Sequence, residues 1–161
     1  MNSDWQKKVD AYVWVPKARR HYGSIAFTAT QAACAELSSA VSSVASGSVK
    51  RRSFEFRQVA ESDLDTIGGG ARWSATTFRI TPADRQEEHL LVFMDESESL
   101  VEIAVNPVSA KVLLRVLQDV ASGSGDQDVP VTIAGKEGRL MYWPCFGRSN
   151  KVKEPAEGSD D

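Results

Sequence analysis

The stretch "LVFMDESESLVEIAVNPVSAKVLLRVLQDV" at residues 91–120 contains two apolar runs, a polar turn between them and a long amphipathic segment. The turn "DESES" at 95–99 is short and is flanked by β-branched and aromatic residues, which predicts a hairpin. Asn106 and Pro107 then supply an N-cap and a proline for the first helical turn. The order strand, turn, strand, helix places the chain in the α+β class.

The helix predicted after Asn106 extends to about Gly123 and has only a narrow polar stripe. Apolar residues occupy most of its circumference, so we expect a helix that is mostly buried. Its polar positions are Lys111, Arg115, Gln118 and Asp119.

A second amphipathic segment predicts a helix that begins at Thr28 and ends near Gly47. Thr28 and Gln31 have the spacing of a capping box. One face is apolar, and the opposite face is rich in serine, typical of an exposed polar surface or an oligomer contact. The predicted core residues of this helix, of the next strand and of the later helix are Cys34, Leu37, Val41, Val44, Phe54, Phe56, Leu113, Val116 and Leu117.

The other periodic segments predict strands at 9–15, 51–59, 71–80, 89–94, 100–105, 129–134 and 139–143. "AGKEG" at 134–138 indicates a second hairpin. No helical pattern lies between Arg51 and Val105, which disfavours alternating βαβ units. We therefore predict an α+β fold with a largely antiparallel meander sheet of about six or seven strands and two helices packed on one face. No internal repeat is evident.

The length of 161 residues fits a single domain. Polar composition predicts a flexible N-terminus at 1–8 and a flexible polar C-terminal tail at 148–161, with one α+β domain at 9–147. The apolar runs are too short for a membrane span, and no secretory signal is evident. Two cysteines, Cys34 and Cys145, give no disulfide framework, which favours a cytoplasmic protein without membrane association.

Motifs for catalysis are weak in this chain. "IGGGARW" at 67–73 lacks the lysine and hydroxyl residue of a phosphate-binding loop. Cys145 with His21 or His89 would form a nucleophile and base, but no family signature surrounds the cysteine. The two histidines and two cysteines are scattered, and the loop acids do not follow the pattern of a calcium loop. We therefore predict no enzymatic activity, no cofactor and no metal site.

The formal net charge of -3 hides an uneven distribution. Residues 1–58 carry nine Lys and Arg against four Asp and Glu (9 − 4 = +5), whereas residues 59–128 carry five against thirteen (5 − 13 = −8). Such a split indicates either an acidic partner for the first part or attraction between the two parts within the fold.

Basic residues of the first part recur beside aromatic residues, as in "WVPKARRHY" at 14–22 and "VKRRSFEF" at 49–56. Alternation along the strands would place Trp14, Trp73, Arg57 and Arg79 on the sheet face opposite the core. Single-strand nucleic-acid binders combine a positive surface with aromatic platforms of this kind. The candidate nucleic-acid-binding residues are Trp14, Lys17, Arg19, Arg20, Tyr22, Lys50, Arg51, Arg52, Arg57, Trp73 and Arg79.

The segment 51–121, predicted as four strands and a helix, resembles the unit of single-strand DNA-binding proteins of the Whirly type. That resemblance implies binding of single-stranded nucleic acid through a sheet face. The absence of catalytic motifs and the acidic middle of the chain favour a non-enzymatic binding module for a protein partner, such as an adaptor, a chaperone-like protein or an inhibitor, or a homo-oligomer. We take the protein-binding module as the first hypothesis and single-stranded nucleic-acid binding as the alternative. The alternative requires the two basic segments to meet in space, although a helix of about 25 Å separates them.

Overall fold

A computed structural model describes residues 6–17, 23–59, 71–84, 86–123 and 127–142. These residues form one sheet of ten strands and two α-helices. The strands are β1 (Lys7–Lys8), β2 (Ala11–Pro16), β3 (Ser24–Ala29), β4 (Arg52–Glu55), β5 (Ala71–Ala75), β6 (Thr77–Pro82), β7 (Leu90–Asp95), β8 (Leu100–Val105), β9 (Gln127–Ile133) and β10 (Lys136–Tyr142). The helices are α1 (Gln31–Ala45) and α2 (Ser109–Ser122). Within the described ranges, neither helix is long and apolar enough to cross a membrane.

The α+β class and the two helices are confirmed, but the predicted antiparallel meander of six or seven strands is wrong in detail. The sheet is mixed, with the strand order β1-β4-β6-β8-β7-β9-β10-β3-β2-β5. Four of its pairings are parallel: β1 with β4, β3 with β10, β6 with β8 and β7 with β9. Each helix returns the chain to a strand that does not neighbour the preceding one, which is the connection that parallel pairing needs. Both predicted hairpins, β7–β8 and β9–β10, are present.

The two sides of the sheet meet, because β1 and β2 follow each other in the chain although β1 is the first strand of the order and β2 is the last but one, before β5. The N–H of Val9 donates to the carbonyl of Glu55 (3.1 Å), and the N–H of Arg57 donates to the carbonyl of Ala11 (2.9 Å). The sheet therefore curves around, and its inner face and both helices share one apolar core. All nine predicted core residues are buried in it.

The fold consists of two units with the same topology, a repeat that the sequence analysis missed. Each unit is an antiparallel hairpin, a helix and two further strands: β2, β3, α1, β4 and β6 in the first, and β7, β8, α2, β9 and β10 in the second. The pairing within and between units also repeats. For example, β3 pairs with β10 in parallel, just as β8 pairs with β6. The parallel pairing of β1 with β4 corresponds to that of β7 with β9, which begins only at Leu90, and β5 has no counterpart among the described residues of the second unit.

Helix ends give the alignment of the two units. Thr30 and Asn106 each accept a hydrogen bond from the N–H three residues later, and Gly47 and Gly123 each follow a helix with φ +85°. Both pairs stand 76 positions apart (106 − 30 and 123 − 47). The sequence "VASG" ends both helices, at 44–47 and at 120–123. The predicted cap at Thr28 is therefore wrong, since Thr28 lies in β3 and Thr30 caps α1.

Two strands of the first unit escaped the sequence analysis. β3 is buried along its whole length, so it lacks the alternation of apolar and polar residues that identifies a half-exposed strand. β1 lies in the segment 1–8 that was predicted to be flexible, yet Lys7 and Lys8 pair with β4. The predicted C-terminal tail at 148–161 lies outside the described residues.

Candidate functional site

The two tryptophans of the predicted nucleic-acid surface lie on different faces of the sheet. Trp14 is on the outer face, as predicted, but it is only 2% exposed and packs with Ala26 and Met141. Trp73 packs against the inner core, so its predicted outward orientation is wrong. The cause is a β-bulge: the N–H groups of Thr76 and Thr77 both donate to the carbonyl of Ser99 (3.0 and 2.9 Å), and the extra residue resets the alternation between β5 and β6.

The described basic residues of the two segments lie at opposite ends of the paired strands. Arg57 is level with Ala11, because its N–H bonds to that carbonyl. Lys17 lies six residues beyond Ala11, and Arg51 lies six residues before Arg57 on a strand that runs in the same direction. At about 3.3 Å per residue, each is displaced by about 20 Å along the strands in opposite directions. Arg19, Arg20 and Tyr22 lie outside the described residues.

The remaining candidate residues either form ion pairs within the fold or lie together at the start of β4. Arg57 forms an ion pair with Asp10, and this hydrogen bond and charge raise the pKa of Arg57. Arg79 pairs with Glu102 (3.3 Å) on the neighbouring strand. Arg52 lies over the ring of Phe54, at 5.5 Å from the ring centroid. It is the first residue of β4, and Lys50 and Arg51 directly precede it. The structure therefore does not gather the described candidates into one basic and aromatic surface.

A groove with a volume of about 490 Å³ lies beside α2. It lies beside the first residues of β9, before the pairing of β9 with β7 begins at Leu90. Its apolar residues are Leu90, Val112, Val116, Val129 and Pro130, and its polar residues are Glu88, His89, Arg115, Asp119, Asp128 and Tyr142. We call it the α2–β9 groove, because α2 forms one wall and β9 the other.

The side chain of Asn106 fixes the position of the segment before β7. Its side-chain N–H groups donate to the carbonyls of Asp84 (2.8 Å) and Glu87 (2.6 Å). These bonds hold the segment before β7 at the start of α2, and β7 pairs with β9 only from Leu90 onward, opposite Val131. In the first unit, by contrast, the chain before β2 stays beside β4, because Lys7 and Lys8 of β1 pair with Phe54 and Glu55. Asp128 to Pro130 consequently pair with β10 on one side and border the groove on the other.

Two carboxylates are fixed at the wall of the groove. The hydroxyl of Tyr142 donates to Asp119 (3.1 Å), and Arg139 forms an ion pair with Asp128. Pro130, next to Asp128 and Val129, has no N–H to offer a strand and is typical of a strand edge. The groove thus combines branched apolar side chains with carboxylates in defined positions. This arrangement suits a ligand that carries both apolar and basic groups.

Tyr142 provides a direct test of this wall. Burial raises its pKa from 10.0 to about 12, and the hydrogen bond to Asp119 adds to the increase. Because the folded-state pKa lies above the unfolded value, the fold favours the neutral phenol, and this stabilisation is lost as the pH rises from 10 to about 12. We expect one of the three tyrosines to ionise only near the upper end of that range, as followed by phenolate absorbance. Tyr142→Phe should remove that late step, and a late step that persists in the variant would contradict the assignment.

Other features offer less chemistry. A cavity of about 10 Å³ between the helices and the sheet has only apolar lining and does not exceed the space of a single water. In the described residues, no group of three His, Cys, Asp or Glu side chains could hold a metal ion. Cys34 is buried in the core, while His21 and Cys145 lie outside the described ranges.

Sequence reasoning missed the groove because it predicted neither where β9 loses its pairing with β7 nor how α2 packs beside that part of β9. The repeated "VASG" is the signal that could have revealed the two units, whose comparison shows that β9 is paired with β7 only from Leu90 onward. Comparison of the chain with models of known protein families, with curated proteins and with solved structures finds no match.

Proposed function

We propose that the protein is a non-enzymatic binding module that takes an extended segment of a protein partner in the α2–β9 groove. The observation that carries the proposal is the difference between the two units. In the first unit, Lys7 and Lys8 lie alongside β4, whereas in the second unit β7 pairs with β9 only from Leu90 onward and a groove of about 490 Å³ lies beside Asp128 to Pro130.

The first unit supplies a template for the bound segment. Lys7 forms a salt bridge with Glu36 of α1 (2.8 Å), and Lys8 approaches Glu55 of β4 (3.8 Å). Val9 follows them, is buried in the core and donates its N–H to the carbonyl of Glu55. Two basic residues and one branched apolar residue therefore occupy the position between a helix and a strand.

The α2–β9 groove offers matching chemistry. Val112, Val116 and Val129 form an apolar floor, on which a branched side chain can be buried. The lining holds the carboxylates of Glu88, Asp119 and Asp128 and the guanidinium of Arg115. With Arg139, which pairs with Asp128, three negative charges face two positive charges, and this excess favours a basic segment. An extended partner segment with a Lys-Lys-Val pattern fits both features.

A peptide with the sequence of residues 6–10, "QKKVD", is the probe for this proposal. We expect saturable binding of the labelled peptide by fluorescence anisotropy, and about tenfold weaker binding when both lysines are replaced by glutamate. Arg115→Glu adds a carboxylate to the groove and should strengthen binding several-fold. Lys111→Glu makes the same charge change at an exposed position of α2 outside the lining, and it should leave affinity nearly unchanged.

Two results would contradict the proposal. One is the absence of saturable binding up to about 1 mM peptide, which corresponds to less than about 4 kcal/mol of binding free energy. The other is an equal response to Arg115→Glu and Lys111→Glu, which would indicate a long-range charge effect and no contact in the groove.

Single-stranded nucleic acid stays the alternative prediction, and an oligonucleotide in the same assay tests it. Binding through the candidate arginines would weaken with salt, with a log-log slope of about −0.7 for each phosphate neutralised. Combined replacement of Arg19, Arg20, Arg51 and Arg52 should then abolish it. No binding at low salt would leave the protein-binding module as the remaining proposal.

A further inference from the structure

The edge of β7 beyond Val92 is open on the side away from β8. β9 ends at Ile133 opposite Val92, and the N–H of Ala134 makes the last bond to the Val92 carbonyl (3.0 Å). Ala134 and Gly135 both have positive φ (51° and 82°), so the chain turns there into β10. Met94 lies two residues beyond Val92 and therefore directs its own N–H and C=O to the same side, where no strand of the described residues pairs with it.

The first unit covers the equivalent edge with β5. β5 pairs with β2 in antiparallel orientation, with Ala75 opposite Val13, Ser74 opposite Trp14 and Trp73 opposite Val15. The connection between β9 and β10 is only a two-residue turn, so no such strand lies between them, and the described residues end with β10.

The aromatic residues beside these two edges show the effect of the missing strand. Trp14 pairs with Ala26 and Phe93 with Glu102, and these two partners are related by the same 76-position alignment (102 − 26). Trp14 is 2% exposed, with Ala71 packed against its cluster, whereas Phe93 is 46% and Met94 36% exposed. Phe93 and Met94 are two of the three exposed large apolar residues in the described ranges.

We infer that this edge, Phe93 to Asp95, is a second docking site, and that its occupant is an extended antiparallel strand of a partner protein carrying an apolar and a basic side chain. Strand addition to an open edge gives affinity through main-chain hydrogen bonds and selectivity through alternate side chains. β5 provides the template, because Trp73 packs on the core while Arg72 is exposed. The inference does not depend on the α2–β9 groove, since the two sites share no lining residue.

Charge decides between a basic partner and a second copy of this chain. Asp95 ends the edge, Glu96 and Glu98 follow it directly, and all three are exposed. Edge-to-edge pairing of two copies would bring two sets of these carboxylates together, which disfavours self-association. A partner strand with a basic residue gains from the same carboxylates.

A labelled peptide with the sequence of residues 70–76, "GARWSAT", is the probe for the edge. We expect saturable binding, a slower hydrogen exchange of the Met94 amide on binding, and about tenfold weaker binding after Phe93→Ser. Val108→Ser is the matched control, because Val108 is 60% exposed and lies at the start of α2, which follows the end of β8 that pairs with Leu91 and not the part that pairs with Phe93. A peptide with glutamate in place of Arg72 should bind several-fold more weakly.

Further measurements keep this site separate from the groove and from self-association. Arg115→Glu should not change affinity for "GARWSAT", and Phe93→Ser should not change affinity for "QKKVD". Equal losses from Phe93→Ser and Val108→Ser, or no saturation up to about 1 mM peptide, would overturn the inference. Concentration-dependent dimerisation by analytical ultracentrifugation that disappears in Phe93→Ser would assign the edge to a second copy and overturn the proposed occupant.

Discussion

Replacing Asn106 with alanine is expected to lower the free energy of unfolding by about 2 to 4 kcal/mol. Asn106 is only 2% exposed, and its side-chain oxygen accepts hydrogen bonds from the N–H groups of Val108 and Ser109 (both 2.8 Å). Its amide nitrogen bonds to two carbonyls of the segment before β7. The variant loses a helix cap and leaves polar backbone groups without partners, and each loss has its own cost.

Thr30 is the matched control, because it occupies the same position in the first unit. It accepts a single bond from the N–H of Ala33 (3.2 Å), so Thr30→Ala should cost only about 0.5 to 2 kcal/mol. Asn106→Asp separates the two roles, since a carboxylate keeps the cap but cannot donate to Asp84 and Glu87. Chemical unfolding of the three variants measures these differences. Equal costs for Asn106→Ala and Thr30→Ala would show that the bonds to the segment before β7 contribute nothing.

The same asparagine links stability to the proposed function. In the first unit, the backbone N–H of Thr30 bonds to the carbonyl of Asp10 (3.0 Å), and β1 just before Asp10 remains alongside β4. In the second unit, Asn106 binds the equivalent segment through its side chain instead, and the position beside β9 becomes a groove. A longer side chain at the cap therefore accounts for one difference between otherwise equivalent units.

Local sequence predicted the helices and the core well. Helical periodicity gave the buried faces of α1 and α2, because a helix that packs on one side repeats its apolar positions every three or four residues. The hairpins were also predictable, since their turns are short and contiguous in the chain. The cap of α1 was displaced by two residues because Thr28 and Thr30 are both suitable cap residues, and the burial of Thr28 in β3 decides between them.

Strand order and face were not predictable from the same patterns. Parallel pairs such as β3 with β10 join segments more than one hundred residues apart, and no local signal encodes that choice. Trp73 illustrates the problem of orientation, because one bulge at Thr76 reverses the face of every residue before it. The groove and the open edge depend on both the strand order and the face on which each side chain lies. They are therefore apparent only when the two units are superimposed in space.

A second large effect is expected at Leu117, in the interface between the helices. Leu117 is 2% exposed, belongs to the common core and borders the small cavity, together with Leu37 and Val41 of α1. Leu117→Ala should lower the free energy of unfolding by about 2 to 5 kcal/mol, because it removes buried apolar contacts and enlarges a space that the curved sheet cannot close. Chemical unfolding measures the loss.

Leu114 is the control for this prediction, since it lies three residues earlier on the same helix and is only half-buried at the border of the core. Leu114→Ala should cost clearly less than Leu117→Ala, because a partly exposed side chain leaves a recess that water can enter and not a closed cavity. A cost below about 1 kcal/mol at Leu117 would mean that α1 and α2 can move together to fill the space. The helices would then not be fixed by the closed sheet, and the walls of the α2–β9 groove, one of which is α2, would lack the rigidity that a preformed binding site requires.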